Sequence, residues 1–387
     1  MKTCQTKCVH SGTIYDSKTQ GIISPLYMSS SCGYLDMEED FYTRYSNLPN
    51  QRAVVKKMAA LENTETGLVF SSGMGAISTT LLAHLKKGDH IIMQRNLFSV
   101  SNKYITNHLR KLGITSDSTI NHEIEDFESL VQPHTKAIFF ESPTNPLLSI
   151  TDIKAVVDLA KKNNLLTFFD NTFATPINQN PISIGVDLVF HSATKYLGGH
   201  GDLAAGFVLG SQHLIAPIIE LSSTIGGCLN SQICHLLERS LQTLAIRIEK
   251  TNENALAIAK FLEHHPKIRK VYYPGLPTHL KHDVAKKQMQ DYGGLVSFEL
   301  NEEIDSINFQ KGLRIIRSAG SFGEIISTLK SPLLAAAPVA DLSPERIKKI
   351  GLTPQTIRMS VGIEGIDDLI QDLDNALFFQ SKNIYSL

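Results

Sequence analysis

The chain of 387 residues contains no tryptophan, and aromatic residues make up only 7% of it. Lys and Arg number 37 against 38 Asp and Glu, so neither sign of charge is in excess. A strongly basic nucleic-acid-binding surface and an acidic solvating tail are therefore both disfavoured. Hydrophobic residues make up 42%, which is typical of an ordinary globular protein.

Long apolar runs and paired cysteines are also lacking. The longest apolar stretches, such as 333–340, are short and contain proline, so no bilayer-spanning helix is expected. The N-terminal run MKTCQTKCVHSG has no apolar core of the kind that marks a secretory signal. The 5 cysteines are an odd number without CxxC pairs, which favours a reducing compartment, with the cytoplasm as the default. Cys4, Cys8 and His10 match no strong zinc pattern, so no metal site is predicted, and free thiols on a mobile arm are expected.

Short apolar runs alternate with helical patterns through the first half of the chain. Helices are predicted over 51–61, 75–86 and 152–163. Runs that are apolar on both faces, alternating with helices, indicate a mostly parallel sheet covered on both sides. The predicted strands are 67–70, 90–93, 136–141, 165–170 and 187–192, with 204–210 as one more strand of unassigned direction.

The remaining segments predict an extended arm and a second domain. The first forty residues are rich in Ser, Thr and Gly and show little helical periodicity. After the sheet, the patterns predict a long helix over 230–263, strands over 295–300 and 356–361, and a last helix over 365–379. The predicted divisions are an arm over 1–50, an α/β domain over 51–235 and a smaller α+β domain over 236–387.

A Ser- and Gly-rich turn follows the first predicted strand. GLVF runs into Ser71-Ser72-Gly73-Met74-Gly75 and then into a helix. Glycines let the backbone approach an anion, and a helix N-terminus presents N–H groups with a favourable dipole. The turn suits a phosphate, although many strand-to-helix turns contain Gly and Ser simply as caps.

Two charged residues follow later strands of the same predicted sheet. Asp170 ends the apolar run LLTFFD, and Lys195 comes three residues after the strand DLVFHS. A charge directly after a buried strand is rarely structural unless it is paired. Together with the turn, these residues supply what a pyridoxal-phosphate (PLP) site needs: a phosphate cradle, a carboxylate for the pyridine nitrogen and a lysine amine.

The motifs around these residues resemble those of the Cys/Met-metabolism PLP-dependent enzymes. FFDNTFATP at 168–176 and HSATKYLGGHGD at 191–202 carry the resemblance. That group includes cystathionine γ-synthase, cystathionine γ- and β-lyases, methionine γ-lyase and O-acetylhomoserine sulfhydrylase. Further runs extend it over nearly the whole chain: YTRYSN (42–47), SSGMGAIS (71–78), FFESPTNPLL (139–148), ERSLQTLAIR (238–247), YYPGLPTH (272–279) and IRMSVGIE (357–364).

The resemblance implies a fold, an assembly and a set of roles. The fold is the aspartate aminotransferase-like fold type I, in which 51–235 binds PLP and the arm contributes to a neighbouring subunit of a homo-oligomer, typically a dimer of dimers. Lys195 would be the Schiff-base lysine and Asp170 the partner of the pyridine nitrogen. The other implied cofactor residues are Gly73, Met74, Ser192, Thr194, Phe98, Asn145, Tyr42 and Arg44, the last two reaching the neighbouring subunit's phosphate. Arg358 would hold the substrate's α-carboxylate through two parallel hydrogen bonds, with Asn145 and Ser327 completing the substrate set.

The chain departs from the family pattern at positions near the implied site. Phe98 stands where the family has a tyrosine that stacks on PLP and transfers protons. It keeps an aromatic face without an ionisable group, so Lys195 becomes the leading candidate for most proton transfers. Ile326 stands where lyases that favour cystathionine carry glutamate, and Ala336 and Ala337 replace a Thr-His pair.

The resemblance favours one reaction and leaves others open. The first expectation is γ-elimination or γ-replacement on a sulfur amino acid or an activated homoserine, in trans-sulfuration. A cystathionine β-lyase or methionine γ-lyase is the nearest alternative, followed by a specialised γ-substitution enzyme of secondary metabolism. An aminotransferase shares the fold, and an inactive PLP-fold binding protein is the non-enzymatic alternative.

Overall fold

The structure, a computed structural model, describes residues 2–333 and 351–379, which form two compact units. The first unit consists of the described residues up to Ser142, then Thr151–Ile246 and Gln288–Gln290. The second consists of Pro143–Ile150, Arg247–Lys287 and the described residues from Asp291 onward. Among the helices of the described ranges, none has the length and apolar composition needed to cross a membrane.

A seven-stranded sheet forms the centre of the first unit. In chain order its strands are β1 (Thr66–Phe70), β2 (His90–Met93), β3 (Thr115–Ser118), β4 (Thr135–Glu141), β5 (Leu166–Asp170), β6 (Leu188–Ser192) and β7 (Gly206–Gly210). In spatial order they are β1-β7-β6-β5-β4-β2-β3. β7 is antiparallel to both β1 and β6, and every other neighbouring pair is parallel.

Helices cover both faces of this sheet. Phe139 of β4 packs on one face with residues of the helix Gly73–His84, while its neighbour Phe140 packs on the other face with the helix Ile153–Lys162. Successive strand residues point to opposite faces, so both positions must be apolar when both faces are covered. The other helical segments of this unit are Cys4–His10, Thr43–Tyr45, Pro49–Glu62, Ser99–Lys103, Tyr104–Leu109, Ile124–Ser129, Thr175–Asn178, Pro181–Ile184, Gln212–Ile225 and Ser231–Gln242.

The second unit is built on a five-stranded sheet. Its strands are β8 (Ile268–Tyr272), β9 (Leu295–Leu300), β10 (Arg317–Ser318), β11 (Thr328–Lys330) and β12 (Thr356–Ser360). Their spatial order is β10-β11-β12-β9-β8; β10 and β11 are parallel, and the other pairs are antiparallel. Its apolar core includes residues from β9 and β12 and from the helices Leu244–Glu263, Ser306–Gly312 and Ile366–Phe378. A further helix, His282–Gln288, precedes β9 in the chain.

The mostly parallel sheet and the second α+β unit confirm the predicted fold class, and each predicted strand is present within two residues of its expected ends. The predicted helix over 230–263 is wrong in one respect, because it is two helices separated at Thr243. The Thr243 hydroxyl donates to the Ser240 carbonyl at 3.2 Å, a local bond that competes with helix continuation. The edge strand β3, with the polar sequence TSDS, had no apolar pattern by which to predict it.

The N-terminal segment begins with a helix where the sequence predicts only an extended arm. Cys4–His10 is helical, and Thr3 caps it by accepting from the Thr6 N–H at 3.4 Å. Cys8 is fully buried, and Lys57 Nζ donates to its carbonyl oxygen at 2.9 Å. Seven residues are too few to display a helical period, so tertiary packing decides their conformation.

Candidate functional site

The turn between β1 and the helix Gly73–His84 presents backbone N–H groups. Ser72 caps the helix, and its hydroxyl accepts from the Gly75 N–H at 3.0 Å. Gly73 and Met74 are the first two helical residues, so their N–H groups have no acceptor within the helix. Together with the helix dipole, these two donors make the turn an anion-binding position.

Glycines allow β7 and β6 to approach this turn closely. A Cβ on Gly206, the first residue of β7, would lie 2.3 Å from the Ser72 carbonyl oxygen. A Cβ on Gly73 would lie 3.0 Å from the Cβ of Ser192. The helix start and the end of β6 are therefore in direct contact, which places Ser192 next to the anion-binding turn.

The two predicted phosphate hydroxyls lie on either side of the bend that follows β6. The Ser192 N–H donates to the Thr172 hydroxyl at 2.8 Å. The Thr194 hydroxyl donates to the Ala205 carbonyl at 3.4 Å and accepts from the Ala205 N–H at 3.2 Å. β7 thus fixes the position of Thr194 through the residue immediately before the strand.

Asp170 ends β5 in a hydrogen-bonded, partly buried position. Its Oδ1 accepts from the Thr172 N–H at 3.0 Å and from the Thr172 hydroxyl at 2.5 Å. Burial raises the pKa of Asp170, while the two bonds from Thr172 and the charge of His191 act in the opposite direction. Both bonds end on Oδ1, so Oδ2 is available to a cationic ligand.

Lys195 lies in a tight turn that directly follows β6. Its N–H donates to the Ser192 carbonyl at 3.2 Å, and its own carbonyl accepts from the Gly199 N–H at 2.8 Å. The Gly198 N–H donates to the Ala193 carbonyl, also at 2.8 Å. These bonds fix the backbone of Lys195 beside Ser192, so the predicted lysine and the predicted phosphate ligands share one edge of the sheet.

Phe98 immediately precedes the helix Ser99–Lys103 and is 41% exposed. Its N–H donates to Glu141 Oε2 at 3.2 Å. Glu141 is buried at the end of β4, where it is the register partner of Asp170. The loop that carries Phe98 is therefore tied to the strand end next to Asp170.

Tyr42 and Arg44 form an aromatic and cationic cluster on the N-terminal arm. The Tyr42 and Tyr45 rings meet edge to face at 5.4 Å, and the Arg44 guanidinium lies 5.4 Å from the centre of each ring. Arg44 also donates to the Ser223 carbonyl. The structure thus holds both predicted residues on the surface of the first unit, where Tyr42 is 38% exposed.

The predicted substrate residues Arg358 and Asn145 are paired in the second unit. Arg358, on β12, is 3% exposed and donates to the Asn145 side-chain oxygen at 3.1 Å. It also donates to the Ser321 carbonyl, and its guanidinium lies 5.3 Å from the Phe322 ring centre. An amide, a carbonyl and an aromatic ring therefore set the orientation of the guanidinium.

Ser327, the remaining residue of the implied substrate set, lies in a buried and hydrogen-bonded position. It is fully buried; its hydroxyl donates to Glu364 at 2.8 Å and accepts from the Gly362 N–H at 2.9 Å. Its neighbour Ile326, the residue at the family's glutamate position, is 53% exposed. Ala336 and Ala337 lie outside the described residues.

Two residues that sequence reasoning passed over are prominent in this geometry. Thr172 connects Asp170 to Ser192 through its hydroxyl. Glu141 follows the apolar run of β4 just as Asp170 follows that of β5, so the same sequence signal was present at both positions. Thr172 gave no such signal, because a threonine in a turn is ordinary.

The residues of the first unit fit pyridoxal phosphate. Contacts run from Gly73 to Ser192, from Ser192 to Thr172 and from Thr172 to Asp170, with Lys195 bonded to Ser192 through the backbone. The donor set therefore combines an anion-binding helix start, a carboxylate with one available oxygen and a lysine at the same edge. These features define the class of PLP enzymes built on a mostly parallel sheet.

Comparison with known proteins identifies the family within that class. Residues 5–378 match the Cys/Met metabolism PLP-dependent enzyme family. A cystathionine beta-lyase from Lactococcus lactis subsp. cremoris is 40% identical over 97% of this chain and 99% of its own length. A cystathionine gamma-lyase from Bacillus subtilis (strain 168) is 37% identical over 96% of this chain and 98% of its own. The crystal structure of cystathionine gamma-lyase from Lactobacillus plantarum, complexed with L-serine, superposes with a TM-score of 0.92 at 35% identity, covering 97% of this chain and 98% of that one.

The chain belongs to the Cys/Met metabolism PLP-dependent enzyme family. Its cofactor is pyridoxal phosphate, and its substrates are amino acids of sulfur metabolism. The expected family, fold type, cofactor and enzyme class are thereby confirmed.

Proposed function

We propose that this enzyme cleaves the carbon–sulfur bond of cystathionine by γ-elimination. The observation that carries the proposal is the buried Arg358 guanidinium, oriented by Asn145 and Phe322, which would bind the substrate's α-carboxylate. The likeness to a cystathionine gamma-lyase structure supports γ chemistry on this substrate. γ-Replacement on an activated homoserine uses the same residues and differs in a thiol entering after the leaving group departs.

The residues of the first unit would hold the cofactor by its two charged ends. Gly73 and Met74 would donate backbone N–H groups to the phosphate, aided by the hydroxyls of Ser192 and Thr194. Asp170 Oδ2 would pair with the protonated pyridine nitrogen. When bound, pyridoxal phosphate supplies an electron sink for the negative charge that develops at the substrate's α-carbon.

Proton movement would fall mainly on Lys195. Its neutral Nζ would take the α-proton of the bound substrate and return it to another atom within reach. Phe98 stands where the family resemblance implies a tyrosine, and its ring offers an apolar face without a proton to exchange. The 41% exposure of Phe98 leaves that face open to a planar ligand.

Arg358 would determine how the substrate is oriented. A guanidinium binds a carboxylate through two parallel hydrogen bonds, which fixes both distance and rotation. The Asn145 side-chain oxygen accepts from Arg358, and Asn145 would lie near the cofactor's phenolic oxygen, as the family resemblance implies. Ser327 would act indirectly, by bonding to Glu364 and holding the loop around it.

β-Elimination on cystathionine is the second candidate. It is favoured by the likeness to the Lactococcus cystathionine beta-lyase, which is 40% identical over nearly the whole length of both chains. The two reactions share the removal of the α-proton by Lys195. They differ in which carbon loses sulfur, and therefore in whether 2-oxobutyrate or pyruvate is formed.

The proposal includes a homo-oligomer with shared sites, in the reducing cytoplasm. Large apolar side chains on the arm are exposed, with Ile22 at 83%, Leu35 at 75% and Tyr34 at 71%. Exposed apolar area of this extent favours coverage by another subunit. Tyr42 and Arg44 on the same arm would then reach the neighbouring subunit's phosphate, and the free cysteines are compatible with reducing conditions.

A product analysis on a panel of substrates tests the proposal. The purified holoenzyme is incubated with cystathionine, methionine, O-acetylhomoserine and O-succinylhomoserine, and the products are identified by mass. Formation of 2-oxobutyrate and cysteine from cystathionine is the expected result, and a Lys195→Ala variant should lose both this turnover and the visible absorbance of the bound cofactor. Pyruvate and homocysteine from cystathionine would replace the γ-elimination proposal with the β-lyase, and absence of reaction with cystathionine would overturn both.

A further inference from the structure

Glu62 and His191 form a fully buried pair of ionisable side chains in the first unit. Glu62 Oε1 lies 2.6 Å from His191 Nε2, and the two side chains are 0% and 1% exposed. Asn171 Nδ2 donates to the same Glu62 oxygen at 2.8 Å. Because this oxygen already accepts from an amide, the histidine on it is best placed as a second donor.

Packing alone does not explain why ionisable groups occupy this position. Charged side chains are rarely buried unless they are paired, and exchanging a buried pair for apolar residues is often neutral for stability. Glu62 is also the last residue of the helix Pro49–Glu62, whose C-terminal end carries a partial negative charge. The carboxylate and the helix end both place negative electrostatic potential at His191 Nε2.

This pair adjoins Asp170 through both the sheet and a side-chain bond. His191 lies on β6, and its neighbour Phe190 is the register partner of Asp170 on β5. Asn171, the residue after Asp170, bonds to Glu62 through its side chain, and its N–H donates to the Phe190 carbonyl at 2.9 Å. A substitution at Glu62 would therefore alter the position of Asn171, and with it the backbone next to Asp170.

The charge of His191 bears on the state of Asp170. Burial raises the pKa of Asp170, whereas hydrogen bonds from Thr172 and the positive charge of His191 lower it. Asp170 must be ionised to hold the cofactor's pyridine nitrogen in the protonated form. A positive charge at His191 on the neighbouring strand would therefore add to the effect of the Thr172 bonds and favour the ionised carboxylate that the cofactor needs.

We propose that Glu62 and His191 act as a buried charged pair that positions Asp170 and keeps it ionised for the cofactor's pyridine nitrogen. This inference rests on the role proposed above for Asp170. Glu62 and His191 are positioning residues, because they act on the cofactor through Asp170. The titratable groups that face the pair from other elements are Asp170 on β5 and the thiol of Cys4 in the N-terminal helix.

A spectroscopic titration of the holoenzyme tests this role without measuring turnover. The variants are Glu62→Gln, which keeps the side-chain shape but removes the charge, and the double variant Glu62→Gln/His191→Gln, which leaves no unpaired buried charge. A protonated pyridine ring lowers the proton affinity of the cofactor's linkage to Lys195. Loss of the proton from the pyridine ring should therefore move the pH midpoint of the visible absorbance upward, by about one unit in both variants. The cofactor should also be lost faster on dialysis.

Glu238→Gln is the matched control. Glu238 is another buried carboxylate of the first unit, 3% exposed and bonded to the Ser24 hydroxyl at 2.8 Å. Its variant should keep the wild-type midpoint. The inference is overturned if Glu62→Gln and the double variant fold as the wild type does, by circular dichroism, and also keep the wild-type midpoint and cofactor retention.

The titration also separates this inference from the proposed function. If the wild-type enzyme bound the cofactor without the Lys195-dependent absorbance, the proposed function itself would fail. If the wild type and Glu238→Gln show that absorbance and the Glu62 variants titrate like them, only the role of the buried pair fails. An effect on stability alone, with an unchanged midpoint, likewise counts against a positioning role.

Discussion

The carboxylate of Asp170 accepts two hydrogen bonds from Thr172, one from its N–H at 3.0 Å and one from its hydroxyl at 2.5 Å. The same hydroxyl accepts from the Ser192 N–H at 2.8 Å. One threonine thus spans the distance between the pyridine end and the phosphate end of the proposed cofactor site. Displacement of Thr172 would disturb both ends at once.

Replacing Thr172 with valine should weaken cofactor binding. The variant keeps the shape of the side chain, removes one bond to Asp170 and leaves the Ser192 N–H without its acceptor. Each lost bond is worth about 1 kcal/mol, so the loss of both should raise the cofactor dissociation constant about thirtyfold, measured by absorbance titration of the apoenzyme. Thr172→Ser retains the hydroxyl and should bind within a factor of about two of the wild type. Equal affinity in the valine variant would contradict the bridging role.

Arg358→Lys should raise KM more than it lowers kcat. A lysine cannot form two parallel bonds to a carboxylate, and it would also lose the fixed contacts with Asn145 and Phe322. A loss of about 2 kcal/mol in substrate binding would raise KM roughly thirtyfold. Arg269→Lys is the matched control, because Arg269 pairs with Glu299 in the same unit and is 49% exposed. A large fall in kcat at constant KM would argue against carboxylate binding by Arg358.

His279 should make the protein sensitive to mild acid. Burial lowers the pKa of His279 to about 4, so the folded state favours the neutral ring relative to the unfolded chain, where the value is 6.5. The stabilisation is complete above pH 6.5 and is lost as the pH falls toward 4. By linkage, the free energy of unfolding should drop by about 2 kcal/mol between pH 7 and pH 5 because of this residue.

Denaturant unfolding at the two pH values tests this sensitivity. His279→Gln should lose less stability on acidification than the wild type, by the amount that His279 contributes. His264→Gln serves as the control, because His264 lies in the same unit and is exposed. This variant should lose as much unfolding free energy between the two pH values as the wild type. An identical pH dependence in His279→Gln and the wild type would refute the assignment.

Gly206→Ala should damage both stability and cofactor binding. The added Cβ would lie 2.3 Å from the Ser72 carbonyl oxygen and 2.5 Å from the Gly73 Cα, both of them backbone atoms that cannot simply rotate away. Separating β7 from the helix start should cost about 1–3 kcal/mol of unfolding free energy. Gly33→Ala is the control, because a Cβ there meets nothing within 4 Å. Thermal unfolding of the holo and apo forms measures both effects. Unfolding temperatures equal to those of the wild type in the Gly206→Ala variant would contradict the prediction.

Local signals made much of this structure predictable. The apolar strands, the Gly-rich turn, Asp170 and Lys195 each have a sequence pattern spanning a few residues, and the family resemblance set them in order. The direction of β7 could not be predicted, because a strand's direction depends on its connection and its neighbours, which the run 204–210 does not encode. Cys4–His10 was missed for a related reason, since burial of Cys8 against a later helix decides its conformation.

Contacts between residues far apart in the chain also limited how much of the site could be predicted from the sequence. Glu62 and His191 are separated by 129 residues, and nothing in either local sequence indicates that they meet. Asn145 and Arg358 were both expected from the resemblance, but their direct bond follows only from the pairing of distant segments. The bond from the Ser327 hydroxyl to Glu364 likewise joins residues that are 37 positions apart in the chain.

The reversed direction of β7 has a consequence for how insertions would be tolerated. Because β7 is antiparallel to β1 and β6, its N-terminal end lies beside the C-terminal ends of those two strands. The ten residues from Tyr196 to Ala205 must therefore form a loop that starts and finishes beside the same proposed cofactor residues. Lengthening that loop would shift Ala205 and Thr194 together. We therefore expect natural relatives to vary in length in the loops at the opposite ends of these strands instead.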